Sequence, residues 1–287
     1  MAVVNTNVNA TVAQNALVKN ERSMNMAMER LSTGKRINGA KDDAAGLAIS
    51  SRMTSQIKGL EASVRNANDA ISMISVADGA MVEVGNMLQR MRELTIQAGN
   101  GTITTADRSY LNSEYSNLIA EIERIADNTQ WNGTNILNQA STASSTFAYQ
   151  VGANGGQTIS VNFGAIDQTS GSAFAVFANG ASGASIAFAG VSAVANASQV
   201  LGHIDAAITE LNEQRATFGA AVNQLTYTID NLSNVKVNSE AARSRIEDAD
   251  YANETSELAR TQIIQQAGTA MLAQANQLPQ TVLALLQ

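Results

Sequence analysis

Acid–base or metal chemistry would first need a histidine, and the chain of 287 residues has one, His203, beside Gly202 within the apolar series Leu201, Ile204. That setting describes an interfacial or partly exposed helix histidine better than a ligand or a general base. Carboxylates gather at Asp42 and Asp43, and again at Glu247, Asp248 and Asp250. Without the glycine-turn spacing of a cation loop, such groups are charges at helix N-termini, where they complement the macrodipole. No HExxH, GxSxG, Walker loop or cysteine cluster occurs. The absence of cysteine excludes disulfides, thiolate metal sites and thiol nucleophiles. The inventory predicts a protein that is not an enzyme, with no catalytic residue, no metal site and no cofactor.

The composition points to helices. Hydrophobic residues make up 45% and aromatic residues only 4%, and many of the former are alanine, which favours close-packed helices over an aromatic-lined pocket. A single proline suits long uninterrupted helices. The net charge of -7 and the isoelectric point near 4.8 predict no nucleic-acid partner, because phosphates demand clustered Lys and Arg. No apolar run is expected to approach the roughly 20 residues of a membrane span, so no membrane partner is expected either. The first residues are rich in Asn and Thr and do not read as an ordinary secretory signal peptide, so any export would take another route.

The stretch from Met53 to Ala98 organises the rest. Met53, Ile57, Leu60, Val64, Ala67, Ile71 and Ile74 recur in steps of four and three, the rhythm of a long helix packed on other helices. Two steps of three at Ile71, Ile74 and Ala77 make a stammer, after which Met81, Val84, Leu88, Met91 and Ala98 resume the stripe. Such a helix is about 70 Å long and cannot bury its own stripe. Its natural partners are a third helix carrying Leu111, Tyr115, Leu118, Ile122 and Ile125, capped by Thr104 or Thr105, and a returning helix. The latter carries Leu201, Ile204, Ile208, Leu211, Phe218, Val222, Leu225, Ile229 and Leu232, with Arg215 occupying one step.

Thin stripes mark both extremes. Ala10, Leu17, Met24 and Leu31 stand at seven-residue spacing, with Met28 added, and Gly34 is placed to cap that helix. Ile264, Met271, Leu278 and Leu285 repeat the interval of seven near the other end, with Ala275 and Val282 between them. Pro279 is expected to kink or loosen that helix near Ala275, whose carbonyl loses its donor. Thin stripes fit helices that are stable only in an assembly. Between residues 140 and 197 the composition turns to Ala, Gly, Ser and Thr, and Phe147, Tyr149 and Val151, then Ile159, Val161 and Phe163, then Phe174 and Val176, then Ile186 and Phe188 alternate as strands do. Trp131-Asn132-Gly133 reads as a tight turn.

The expected fold is mainly α: long antiparallel helices in a rod-like coiled-coil bundle, a small β insertion, and N- and C-terminal helices paired at one pole. The expected domains are a terminal helical domain of residues 1–40 plus 255–287, a helical rod of 41–139 plus 198–254, and a β domain of 140–197.

Several motifs resemble those of bacterial flagellins. Leu31-Ser32-Thr33-Gly34-Lys35-Arg36-Ile37-Asn38, followed by Lys41-Asp42-Asp43-Ala44-Ala45-Gly46-Leu47-Ala48-Ile49, is similar to the N-terminal signature of that family. So are Gln89-Arg90-Met91-Arg92-Glu93-Leu94, Ser244-Arg245-Ile246-Glu247-Asp248-Ala249-Asp250-Tyr251, Gln265-Gln266-Ala267-Gly268 and the tail Val282-Leu283-Ala284-Leu285-Leu286. The central region is too short for the extra outer domains of larger members, so a short form is expected.

The resemblance implies an extracellular structural subunit that polymerises into the filament of a swimming bacterium. It is exported unfolded by the flagellar type III system, meets an export chaperone, the filament cap and hook-filament junction proteins, and in animal hosts meets the Toll-like receptor for flagellin. A hook-filament junction protein is the alternative within the same group. Leu17, Met24, Met28, Leu31, Ile264, Met271, Leu278, Val282 and Leu285 are then the polymerisation residues. Counted at 100° per residue, Leu94 falls off the main stripe of the long helix, which makes it an expected subunit contact, and with Arg90 and Glu114 it matches the surface that the resemblance implies for the receptor. Ser141, Ser144, Ser145, Ser160, Ser170, Ser172, Ser182, Ser185 and Ser192 are candidate O-glycosylation sites in the outermost region that the resemblance implies.

Overall fold

The computed structural model describes residues 7–138, 146–164 and 193–285. Its elements, in order, are α1 (Val8–Thr33), α2 (Ala44–Ala98), α3 (Thr105–Asn128), strands β1 (Gln130–Trp131), β2 (Thr134–Asn135), β3 (Thr146–Gln150) and β4 (Thr158–Asn162), α4 (Ala193–Glu247) and α5 (Tyr251–Leu285). The chain divides into two compact units, Lys58–Lys236 on the one hand and Met1–Ile57 with Val237–Gln287 on the other. The described strands share a core with the helices around them.

In the unit Lys58–Lys236 that core is built on α2. Ala67, Met73, Ile74, Met81, Val84, Leu88 and Met91 lie against Tyr115 and Ile122 of α3 and against Ile204, Leu211, Phe218 and Leu225 of α4. Each fully buried large side chain contributes about 1.5–3 kcal/mol. Ion pairs fix the antiparallel register of α2 and α4: Glu61 with Lys236, Asp78 with Arg215, and Arg92 with Asp205. Gly85 lets α4 come close, since a Cβ there would sit 3.1 Å from Leu211 Cδ2. One stretch of α2 reaches a mean hydropathy of 1.2 and is, by length and composition, apolar enough to cross a membrane, contrary to the expectation from the sequence. Its helix has neighbours on more than one side, and a face packed against protein needs no charge.

Local chemistry sets the ends of α3. Thr104 is its N-cap in a capping box with Asp107, whose carboxylate accepts from the Thr104 backbone N–H while the Thr104 hydroxyl accepts from the Asp107 N–H. A two-residue hairpin follows, in which β1 pairs antiparallel with β2 and Asn132 and Gly133 take the positive φ values of 49° and 78° that such a turn requires. It delivers Ile136 and Leu137 into the core.

Strands β3 and β4 pair antiparallel, Phe147 opposite Val161 and Tyr149 opposite Ile159. Phe147 meets Phe163 edge to face at 5.4 Å, and Phe163 meets Phe218 of α4 at 5.2 Å. The Asn66 amide donates to the Gln150 carbonyl (3.0 Å), and that of Gln214 donates to the Asn162 carbonyl (2.6 Å), fastening both strands to helices. The expected strands around Phe174 and Val176 and around Ile186 and Phe188 lie outside the described residues.

Candidate assembly surface

Within the other unit, α1 and α5 run antiparallel, and the seam between them is not the one that the hydrophobic residues advertise. Among the covered or half-covered positions of α1, Ala10, Ala13, Leu17, Asn20, Met24, Ala27 and Leu31 alternate steps of three and four, with Ser23 and Arg30 half-covered beside them. On α5, Glu254, Leu258, Thr261, Gln265, Gly268, Leu272 and Ala275 again follow steps of four and three, with Glu257 half-covered beside them. Small and polar residues on α5 allow close approach and directed bonds. A Cβ on Gly268 would stand 2.5 Å from Leu17 Cδ2, so any larger residue there would push that leucine aside. The Asn20 amide donates to the Thr261 carbonyl at 2.7 Å and to Gln265 Oε1 at 3.2 Å. Arg30 pairs with Glu254 at 3.0 Å. Asn7, the N-cap of α1, accepts from the Ala10 N–H and donates to the Ala275 carbonyl at 2.8 Å.

Pro279 leaves the Ala275 carbonyl without its helical donor, and Asn7 supplies one. The α5 helix continues past Ala275, near which the sequence predicted a kink or a loosening, to Leu285. The sequence carried a signal for this seam in the small residues Thr261, Gly268 and Ala275 at intervals of seven, but apolar periodicity alone passes over it.

Because the seam takes the small face, the apolar face of α5 stays open. Met271 is 66% exposed, Ile263 is 66% and Ile264 is 41%, while Val12 and Met28 stand out from α1. Asn9, Val12, Leu17, Ile264, Met271 and Gln274 border a groove of about 490 Å³ between the two helices. Of the expected polymerisation residues, Leu17, Met24 and Leu31 thus lie on the seam, whereas Met28, Ile264 and Met271 face outward. Leu278, Val282 and Leu285 belong to α5, and their side chains lie outside what is described.

A polar knot ties the segment after α1 to the end of α4. Gly34, with φ 71°, ends α1 by donating to the Arg30 carbonyl. Its own carbonyl accepts from the Ala249 N–H at 2.9 Å, and the Arg36 N–H donates to the Glu247 carbonyl at 2.6 Å. The Glu247 carboxylate pairs with Lys35 and accepts from the buried Ser50 hydroxyl. The Lys35 and Ser50 hydrogen bonds, in that order, hold its pKa below the ordinary carboxylate value against an opposing effect of burial. Asp43 accepts from the Gly46 N–H at the start of α2, the helix-terminal role expected of it.

On α2 the expected contact surface divides in two. Arg90 donates to Glu114 of α3 at 2.8 Å and to Glu93 at 2.9 Å, and these three form an exposed ion cluster. The hydrogen bond that Arg90 donates to Glu114, then the one it donates to Glu93, raises its pKa. Leu94, in contrast, is 1% exposed and belongs to the core, which corrects its reading as a residue left outside. A helix packed on more than one side buries a wider arc than a single stripe, and Leu94 and Thr95 both fall within it. Among the serines, Ser160 is exposed on β4, and the other candidates lie outside the described residues. His203 is a half-buried residue of α4.

Comparison with known proteins agrees with this architecture. Residues 4–142 match the family model of the bacterial flagellin N-terminal helical region, and residues 201–286 match that of the C-terminal helical region. A flagellin of Halalkalibacterium halodurans is 42% identical over 285 residues, covering 99% of this chain and 100% of that protein. The flagellar filament 33 kDa core protein of Treponema phagedenis is 39% identical over 292 residues, covering 99% of this chain and 100% of its own. A solved Vibrio parahaemolyticus chain of the flagellar hook-associated type shares the fold, with a TM-score of 0.58 over 72% of this chain and all of its own, at 17% identity. With both terminal regions matched and relatives aligned from end to end, the chain belongs to the bacterial flagellins, structural proteins that build the flagellar filament.

Proposed function

We propose that this flagellin enters the filament through the α1–α5 pair. The observation that carries the reading is the open apolar face of α5. Ile263, Ile264 and Met271 are exposed although the helix has a partner, and a helix pair cannot cover its outer sides by itself. Copies stacked head to tail would cover those sides and extend without closing, giving an open tube. Leu17, Met24 and Leu31 hold the pair together, and Met28, Ile264, Met271, Leu278, Val282 and Leu285 contact other copies.

The finer partners follow from membership of the family. The subunit is exported by the flagellar type III system and meets a chaperone, the filament cap and the junction proteins on its way. Arg90 and Glu114 serve as a contact surface for neighbouring subunits and for the host Toll-like receptor, with Leu94 acting only by packing beneath them. Ser160 is the described candidate for O-glycosylation.

Removal of residues 264–287 tests the main reading. The truncated protein is expected to keep most of its helical circular dichroism and to form no filaments by electron microscopy after seeding. Filaments from it would assign polymerisation elsewhere.

A further inference from the structure

Among the described residues the methionines span the full range of exposure, with Met24, Met53 and Met87 half-buried between two extremes. Met73, Met81 and Met91 are buried in the core of the unit Lys58–Lys236. Met26, Met28 and Met271 are exposed, and all three belong to the terminal helices, with Met271 bordering the apolar groove beside Val12, Leu17 and Ile264. Thioether oxidation follows exposure, and it turns a flexible apolar side chain into a polar one carrying a strong acceptor oxygen.

We propose that Met26, Met28 and Met271 are a modification site through which peroxide-class oxidants stop the free subunit from entering the polymer. A sulfur lone pair attacks one oxygen of hydrogen peroxide, the O–O bond breaks as the S–O bond forms, and after proton transfer the other oxygen leaves as water. The sulfur is oxidised and the peroxide reduced. Met26 and Met28 stand about 200° apart on α1, so the sulfoxides project from more than one outer side of the helix pair, sides that have to become dry on assembly and where an acceptor without a donor is unfavourable. Burial in the polymer withdraws the same sulfurs from the oxidant, so the free subunit is the sensitive form. The inference rests on the terminal helices being the polymerisation surface.

The test compares free full-length subunit and preformed filament, each treated with hydrogen peroxide, with the added oxygens mapped by peptide mass spectrometry and elongation from seeds measured afterwards. In the free subunit Met26, Met28 and Met271 should take up oxygen before Met73, Met81 and Met91. In filaments the first three should be protected. Oxidised subunit should lose elongation and regain it after treatment with the two methionine sulfoxide reductases. The reductase rescue of the unaltered protein ties the loss to the sulfoxides without any substitution. Full elongation by subunit carrying all three sulfoxides overturns the proposal, and so does equal oxidation of these methionines in filament and free subunit. If that occurs while the protein lacking residues 264–287 fails to polymerise, the polymerisation reading stands and only the oxidation site falls. If the truncated protein polymerises, both fall.

Discussion

The side-chain amide of Asn7 donates to the carbonyl of Ala275 at 2.8 Å, and Ala275 is the residue whose helical donor Pro279 removes. The N-terminal cap of one helix thus completes the hydrogen bonding of the other. The two ends of the chain are joined by complementary backbone defects as well as by apolar contact: a helix start that needs an acceptor for its first amides, and a proline that strands a carbonyl.

Replacing Asn7 by Ala should therefore weaken the α1–α5 pair by about 1 kcal/mol, the usual worth of such a bond together with its cap. In a Pro279→Ala background, where Ala275 regains an intrahelical donor, the same replacement should cost only its capping share. Amide hydrogen exchange of α1 and α5 in the four proteins of the cycle measures the coupling, and strict additivity would show that the bond carries no weight.

Gly268 and Leu17 make a second coupled pair. Gly268→Ala should destabilise the helix pair by about 1–3 kcal/mol, because the new Cβ overlaps a leucine methyl that stands 2.5 Å away. Adding Leu17→Ala should recover part of that loss. Thermal unfolding followed by circular dichroism decides the point.

Leu94→Ala should behave as a core truncation and lower stability by about 2–5 kcal/mol. Arg90→Ala and Glu114→Ala, at an exposed ion pair screened by solvent, should leave it nearly unchanged. Comparing unfolding midpoints with filament formation and receptor activation separates packing from contact. Loss of receptor activation in stably folded Arg90→Ala or Glu114→Ala protein would assign the contact to the ion cluster.

The Glu247 knot makes the join between α1 and the end of α4 sensitive to acid. Its carboxyl has a folded pKa below its unfolded value, so the stabilisation is present above the unfolded pKa and fades as pH falls through the folded one. Glu247→Gln should lower stability at neutral pH by on the order of 1–3 kcal/mol, and the difference from the unaltered protein should vanish in acid. Denaturant unfolding across the range from pH 7 down to strongly acidic conditions, in both proteins, gives the profile. A constant difference at all pH values would remove the role assigned to this carboxylate.

Much of the architecture is legible in the sequence because helices announce themselves by period. The stripe from Met53 to Ala98, its partner from Leu201 to Leu232, the Gly34 cap, the Thr104 cap and the Asn132-Gly133 turn all depend on neighbours within a few residues, and all occur where local spacing places them. The family signature likewise resides in contiguous residues. Tertiary structure alone decides which face of a helix is covered. Leu94 reads as outlying when one stripe is counted, and it is buried because α2 has more than one neighbour. Ile264 and Met271 carry the apolar stripe of α5 yet lie outside its seam with α1, because Thr261, Gly268 and Ala275 let α1 come closer, with Asn20 and Asn7 bonded to carbonyls of that narrow face. Periodicity reports how apolar a face is. Which face is buried depends also on how near the partner backbone can approach and which polar groups it brings, and that information lies hundreds of residues away in the chain.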